Sequence, residues 1–134
     1  MTPKEYLSRA WNLDREITAL ERAKRRAYDR CVSGVASVSG TPSGGGQSDG
    51  GMSRYAAFAD EIDRQLARLS DIKREVSEVI SRVPDTTLRT LLVRRYLNFE
   101  KWENIAVDMN YSWRQVMRLH GQALREVAEL LSGA

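Results

Sequence analysis

The residues best suited to chemistry in this 134-residue chain are arginines. Between Ser112 and Arg125 there are three, Arg114, Arg118 and Arg125, and no acidic residue. Seventeen of the 21 basic residues in the chain are arginine, whose planar fork of donors matches phosphate or a guanine edge better than a lysine ammonium does. The chemistry on offer is recognition of an anion by hydrogen bonding, and the expected partner is double-stranded DNA. Bond-making chemistry has few carriers. Cys31 is the single cysteine and His120 the single histidine, too few for an internal disulfide or a Cys/His metal cluster. His120 reads as a packed or surface residue rather than a ligand or catalyst. The run Gly44-Gly45-Gly46 lacks the following Lys-Ser or Lys-Thr, and the preceding strand, of a phosphate-cradling loop. The expectation is a protein with no catalytic residues, no cofactor and no metal.

The elements that hold these arginines are legible around them. Trp102, Ile105, Ala106 and Met109 are spaced three, one and three apart, so they share one face of a helix. Asn110 suits the left-handed residue past a helix end. Tyr111 precedes Ser112 as a hydrophobic staple would, and Ser112 with Gln115 spells a capping box that opens the next helix. From that cap Val116, Leu119, Ala123, Val127 and Leu130 run down one side, leaving Trp113, Arg114, Met117 and Arg118 facing away from the core. Two short helices joined by a tight turn, the second one basic at its positive dipole end, are the grammar of a helix-turn-helix DNA reader. The DNA-contact candidates are Ser112, Trp113, Arg114, Gln115, Met117 and Arg118, with Lys101 and Arg125 beside them. Several have a plainer reading. Arg114 and Arg118 also fit a solvated helix face, and Gln115 fits the capping box alone. Trp113 suits a sugar or a thymine methyl as well as it suits a protein partner. Gly121 costs ~1 kcal/mol relative to alanine in mid-helix, so a close helix crossing or backbone approach is expected there.

Upstream, residues 3 to about 31 place Leu13, Ile17, Leu20, Lys24, Ala27 and Cys31 in an alternating four-three spacing, a heptad seam. Residues 54–83 repeat it with Ile62, Leu66, Leu69, Lys73, Val76, Ile80 and Val83, widened by Ile72 and Val79. Residues 33–53 hold seven of the nine glycines and read as a flexible loop. Two long amphipathic helices joined by a loop bury their stripes most readily against each other, and such a hairpin over 1–83 can also pair with a second copy into a dimer. Pro84-Asp85 ends the second helix and caps the next. Leu88, Leu91, Leu92 and Tyr96 make a third amphipathic face, and Asn98-Phe99-Glu100 is a short turn. The expected fold is all-α: a long antiparallel, coiled-coil-like hairpin over 1–83, followed over 84–134 by a three-helix helix-turn-helix module.

The net charge of +3 is modest, and its positive excess sits in Arg22, Lys24, Arg25 and Arg26 and on the basic helix. The first of these clusters fits flanking phosphates or a charged outer face. No apolar run approaches the ~20 residues that span a bilayer, and Met1-Thr2-Pro3-Lys4-Glu5 lacks the apolar core of a signal peptide. A cytoplasmic protein without a membrane partner is expected.

The C-terminal module resembles region 4 of bacterial sigma factors, in which a similar helix-turn-helix is followed by an Ala-Leu pair, here Ala123-Leu124. The whole chain resembles the small prophage-encoded regulators of the RinA and ArpU type, in particular a group of them in Gram-positive bacteria. The resemblance is carried by Lys4-Glu5-Tyr6-Leu7, by the Ser/Gly/Pro loop followed by Ser48-Asp49, and by Arg94-Arg95-Tyr96-Leu97. It continues through Trp102-Glu103-Asn104-Ile105-Ala106 and Met109-Asn110-Tyr111-Ser112 to Arg118-Leu119-His120-Gly121. One departure is Trp113, where related sequences often carry arginine. The resemblance implies a phage late-gene or packaging-region transcription regulator, acting as a dimer or through contact with RNA polymerase. Two other functions share this architecture. A small terminase subunit also couples a helix-turn-helix to oligomerising helices, and an interaction protein would dock the module on RNA polymerase without reading DNA. Oligomer size separates the first from a regulator, and salt-dependent duplex binding separates the second.

Overall fold

The computed structural model describes residues 1–37 and 45–133, with side chains described outside 33–51. Among the described residues the protein is all-helical. In chain order there are α1 (Pro3–Ser37), α2 (Gly45–Ser81), α3 (Thr86–Leu92), a π-helical turn (Val93–Leu97), α4 (Trp102–Met109) and α5 (Trp113–Leu131). Thr2 starts α1 through a reciprocal cap. Its Oγ1 accepts from the Glu5 amide at 3.1 Å, and Glu5 Oε2 accepts from the Thr2 amide at 3.2 Å.

Part of the glycine-rich stretch expected as a loop over 33–53 is helical. Residues 33–37 continue α1 and residues 45–53 already belong to α2. Residues 38–44, which hold the centre of that loop, lie outside the described residues. The reason is helix cooperativity: once a long helix is nucleated, each further residue adds a hydrogen bond, and weak formers such as serine and glycine are carried along.

The chain divides into two compact units. One unit comprises Met1–Asn12 with Leu69–Ala134, the other Leu13–Arg68. In the first, Leu7 from the start of α1 and Val76, Val79, Ile80 and Val83 from the end of α2 share one buried cluster with Leu88, Leu92, Tyr96, Ala123 and Val127. Leu7, Val76, Val83, Leu92 and Val127 are fully buried. A module of only about 50 residues buries little surface by itself, and these helix ends add a wall to its core. Arg9 pairs with Glu75 at 3.0 Å on the rim of this unit. Arg89 ties the α2–α3 turn, donating from Nη1 to the carbonyls of Val83 (2.6 Å) and Pro84 (3.0 Å). Asp85 caps α3 by accepting from the Leu88 amide at 3.1 Å.

In the second unit Leu13, Ile17, Ala27 and Ile62 are buried. The Tyr28 and Tyr55 rings meet at 5.8 Å, and the Lys24 ammonium stands 5.3 Å from the Tyr55 ring centre. Leu66, expected in the buried stripe, is 45 % exposed. An ideal helix turns about 100° per residue, and at that pitch Leu66 falls on the rim of the arc that Ile62 and Leu69 define. Lys73, the other seam lysine, lies in the first unit with its ammonium 4.9 Å from the centre of the Phe99 ring. The seam position is thus filled by the stem while the charge snorkels to an aromatic face.

Candidate nucleic-acid interface

The surface in question is assembled at the α4–α5 junction. α4 ends at Asn110 in the left-handed conformation, with φ 59° and ψ 40°. The Tyr111 amide donates to the Ala106 carbonyl at 3.0 Å and the Asn110 amide to the Val107 carbonyl at 3.2 Å, a Schellman arrangement. Ser112 then opens α5. Its Oγ accepts from the Gln115 amide at 3.2 Å, and Gln115 Oε1 accepts from the Ser112 amide at 2.9 Å. Both halves of the capping box are formed, so the angle at which α5 leaves the turn is set by local hydrogen bonds. Tyr111 and Val116 pack into one cluster with Leu91 and Ala106, which completes the staple.

Arg114, Arg118 and Arg125 are exposed and form no ion pair among the described residues. They occupy positions four and seven residues apart, opposite the buried Val116, Ala123 and Val127, and so form one stripe along the outer face of α5. Trp113 stands beside them, 53 % exposed in the first turn. Lys101 is exposed just before α4. Ser112 and Gln115 are exposed but engaged in the cap. Met117, expected to face away from the core, is half-buried and packs against the Leu91, Ala106 and Val116 cluster. An unbranched thioether bends into such a gap between helices.

Gly121 also differs from expectation. A methyl group built on its Cα would meet only Arg125 Nη1, at 4.0 Å. Among the described residues no backbone atom of another element comes within 4 Å of that methyl, so they give this glycine no steric reason.

Arg94 and Arg95 of the same unit are engaged internally, unlike the α5 stripe. Arg94 donates to Glu100 Oε1 at 3.0 Å and to Asp108 Oδ2 at 3.1 Å. Arg95 donates to the Glu100 carbonyl at 3.0 Å and lies 4.8 Å from the Trp102 ring centre. The π-helical turn, closed by the Asn98 amide on the Val93 carbonyl at 3.0 Å, presents these two neighbours to the following turn. Phe99, at φ 59°, reverses the chain there. A shallow cavity of about 810 Å³ beside this turn, lined in part by Arg89 and Arg94, therefore offers no free guanidinium. In the second unit Arg26, Arg30 and Arg54 border a smaller cavity of about 250 Å³.

Sequence reasoning missed the role of His120. Its Nε2 lies 2.6 Å from the Tyr96 hydroxyl, and its ring meets Trp102 edge-on at 4.5 Å. Burial, with the charges of Lys4 and Arg95 adding to it, holds the imidazole down to about 4. Burial pushes the Tyr96 phenol up to about 12, against the pull of Arg95. The pair is neutral at pH 7 and pins the π-helical turn to α5 behind the arginine stripe. The signal available in the sequence was only that both residues fall on inward-facing positions.

Compared with known proteins, the chain matches no family model, no curated protein and no solved structure. The class that the fold itself defines is an all-helical protein, and no helix among the described residues is long and apolar enough to cross a membrane. No group of three or more metal-ligating side chains occurs among the described residues.

Proposed function

We propose that this chain is a sequence-specific duplex-DNA-binding transcription regulator. In this reading α4 and α5 form a helix-turn-helix and the long helices form an antiparallel hairpin arm. The carrying observation is the stripe of Arg114, Arg118 and Arg125, without an ion pair among the described residues, on the outer face of a helix that a formed capping box opens after a left-handed turn. Guanidiniums on a rigid helix whose N-terminal end carries a positive partial charge suit the phosphate-lined major groove. Trp113 beside Arg114 supplies an apolar contact of the kind that meets a sugar or a thymine methyl. The resemblance to prophage regulators supplies the setting, late-gene or packaging-region transcription, with a dimer or RNA polymerase as the further partner.

Titrating the full-length protein into labelled duplexes selected by it from a random pool tests the reading. Binding should be saturable and should weaken steeply between about 50 and 200 mM salt. Absence of duplex binding at low salt would overturn the proposal and leave the helical module as a protein-docking element.

A further inference from the structure

Gly121 lies on the same outer face of α5 as the arginines, three residues after Arg118 and four before Arg125. Residues at those spacings are surface neighbours on a helix. The described residues leave the space above Gly121 open except for the Arg125 guanidinium at 4.0 Å from the Cβ position. A residue that is costly in a helix interior thus stands where no described residue fills the place of a side chain. We propose that Gly121 is the floor of a phosphodiester seat, walled by Arg118 and Arg125, that receives the DNA backbone at the edge of the groove.

The inference rests on the DNA-binding reading and adds a site to it. Gly121 stands nine residues beyond Ser112, about 14 Å along the helix axis. A major groove about 12 Å wide and about 8.5 Å deep holds the first turns of an entering helix. By the third turn the helix passes the groove wall, where phosphates rather than base edges are in reach. A bare Cα there lets a phosphate approach the helix backbone between two forked donors, whereas a side chain would hold it off.

The test uses full-length protein, a duplex selected by the wild type from a random pool, and four variants: Gly121→Ala, Gly121→Leu, Arg125→Ala and Arg114→Ala. Gly121→Ala should melt at or above the wild-type temperature yet bind the duplex about tenfold more weakly, and Gly121→Leu should bind more weakly still. Arg125→Ala should reduce the salt slope by about one counterion. If both Gly121 variants bind like wild type while Arg114→Ala loses affinity, the seat is overturned and the DNA-binding reading stands. Weakened binding accompanied by a lowered melting temperature also overturns the seat, since the loss would then be one of folding. If the wild type shows no salt-dependent duplex binding, both fall together.

Discussion

The Tyr96 hydroxyl and His120 Nε2 are 2.6 Å apart, and this single bond joins the π-helical turn to the middle of α5. Tyr96 is itself a buried member of the core cluster behind the arginine stripe. The neutrality of the pair is what lets it stay there, because an imidazolium among Lys4, Arg95 and the Trp102 ring would be both desolvated and repelled.

Stability should therefore fall on mild acidification. An unfolded histidine takes up its proton near pH 6.5, whereas folded His120 resists protonation down to about 4. The contribution is complete above about pH 6.5 and is lost progressively as the pH drops towards 4. At the alkaline end Tyr96, raised to about 12, contributes stability that is complete below its unfolded value near 10 and lost as pH rises beyond it. Melting temperatures at pH 7 and pH 5 should differ more for the wild type than for His120→Gln, and equal shifts would contradict the assignment.

Arg114→Ala and Arg118→Ala should each weaken specific duplex binding by ~1 to 3 kcal/mol and leave helical content unchanged, since both side chains are exposed and form no ion pair among the described residues. Circular dichroism alongside binding titrations checks both halves. Unaltered affinity in both variants would remove α5 as the reading helix.

The junction between α4 and α5 should respond to two backbone-directed changes. Ser112→Ala removes the acceptor for the Gln115 amide and should cost ~1 kcal/mol. Asn110→Ala should be destabilising by a similar amount, about 1 kcal/mol, because alanine tolerates φ 59° poorly, while Asn110→Gly should be close to neutral. Denaturant unfolding of the three variants would show whether glycine and alanine at position 110 separate in this order.

Burial separates residues that share the same periodicity. Leu91→Ala, at a fully buried site, should cost ~2 to 5 kcal/mol. Leu66→Ala, at a site 45 % exposed, should cost well under that, about 1 kcal/mol or less. A loss at Leu66 as large as at Leu91 would mean that a second copy of the chain covers it, and sedimentation of the wild type would then show a dimer.

Arg94 holds Glu100 and Asp108 together across the turn before α4. Its side chain is about one-third exposed, so solvent screening keeps each pair weak, and Arg94→Met should lower stability by only ~1 kcal/mol. The more informative readout is duplex affinity, which should fall if α4 loses its fixed approach to α5.

What the sequence determined by itself was written in short-range hydrogen bonds and in helical periodicity. The left-handed Asn110, the Ser112–Gln115 box, the Asp85 cap and the outward face of Arg114 and Arg118 each depend on residues within a few positions of one another, and residue type alone selects among the few conformations available. Tertiary packing decided the rest. Met117 and Arg114 both lie off the apolar stripe, yet only Met117 meets a neighbouring cluster. Leu66 and Leu69 belong to one heptad pattern, yet only Leu69 is buried. Leu7, more than a hundred residues distant, packs in the cluster that holds Ala123 and Val127, and His120 finds Tyr96 across 24 positions. Contacts between distant segments depend on where whole helices come to lie, and that position follows from the sum of many weak apolar contacts rather than from any one residue's type.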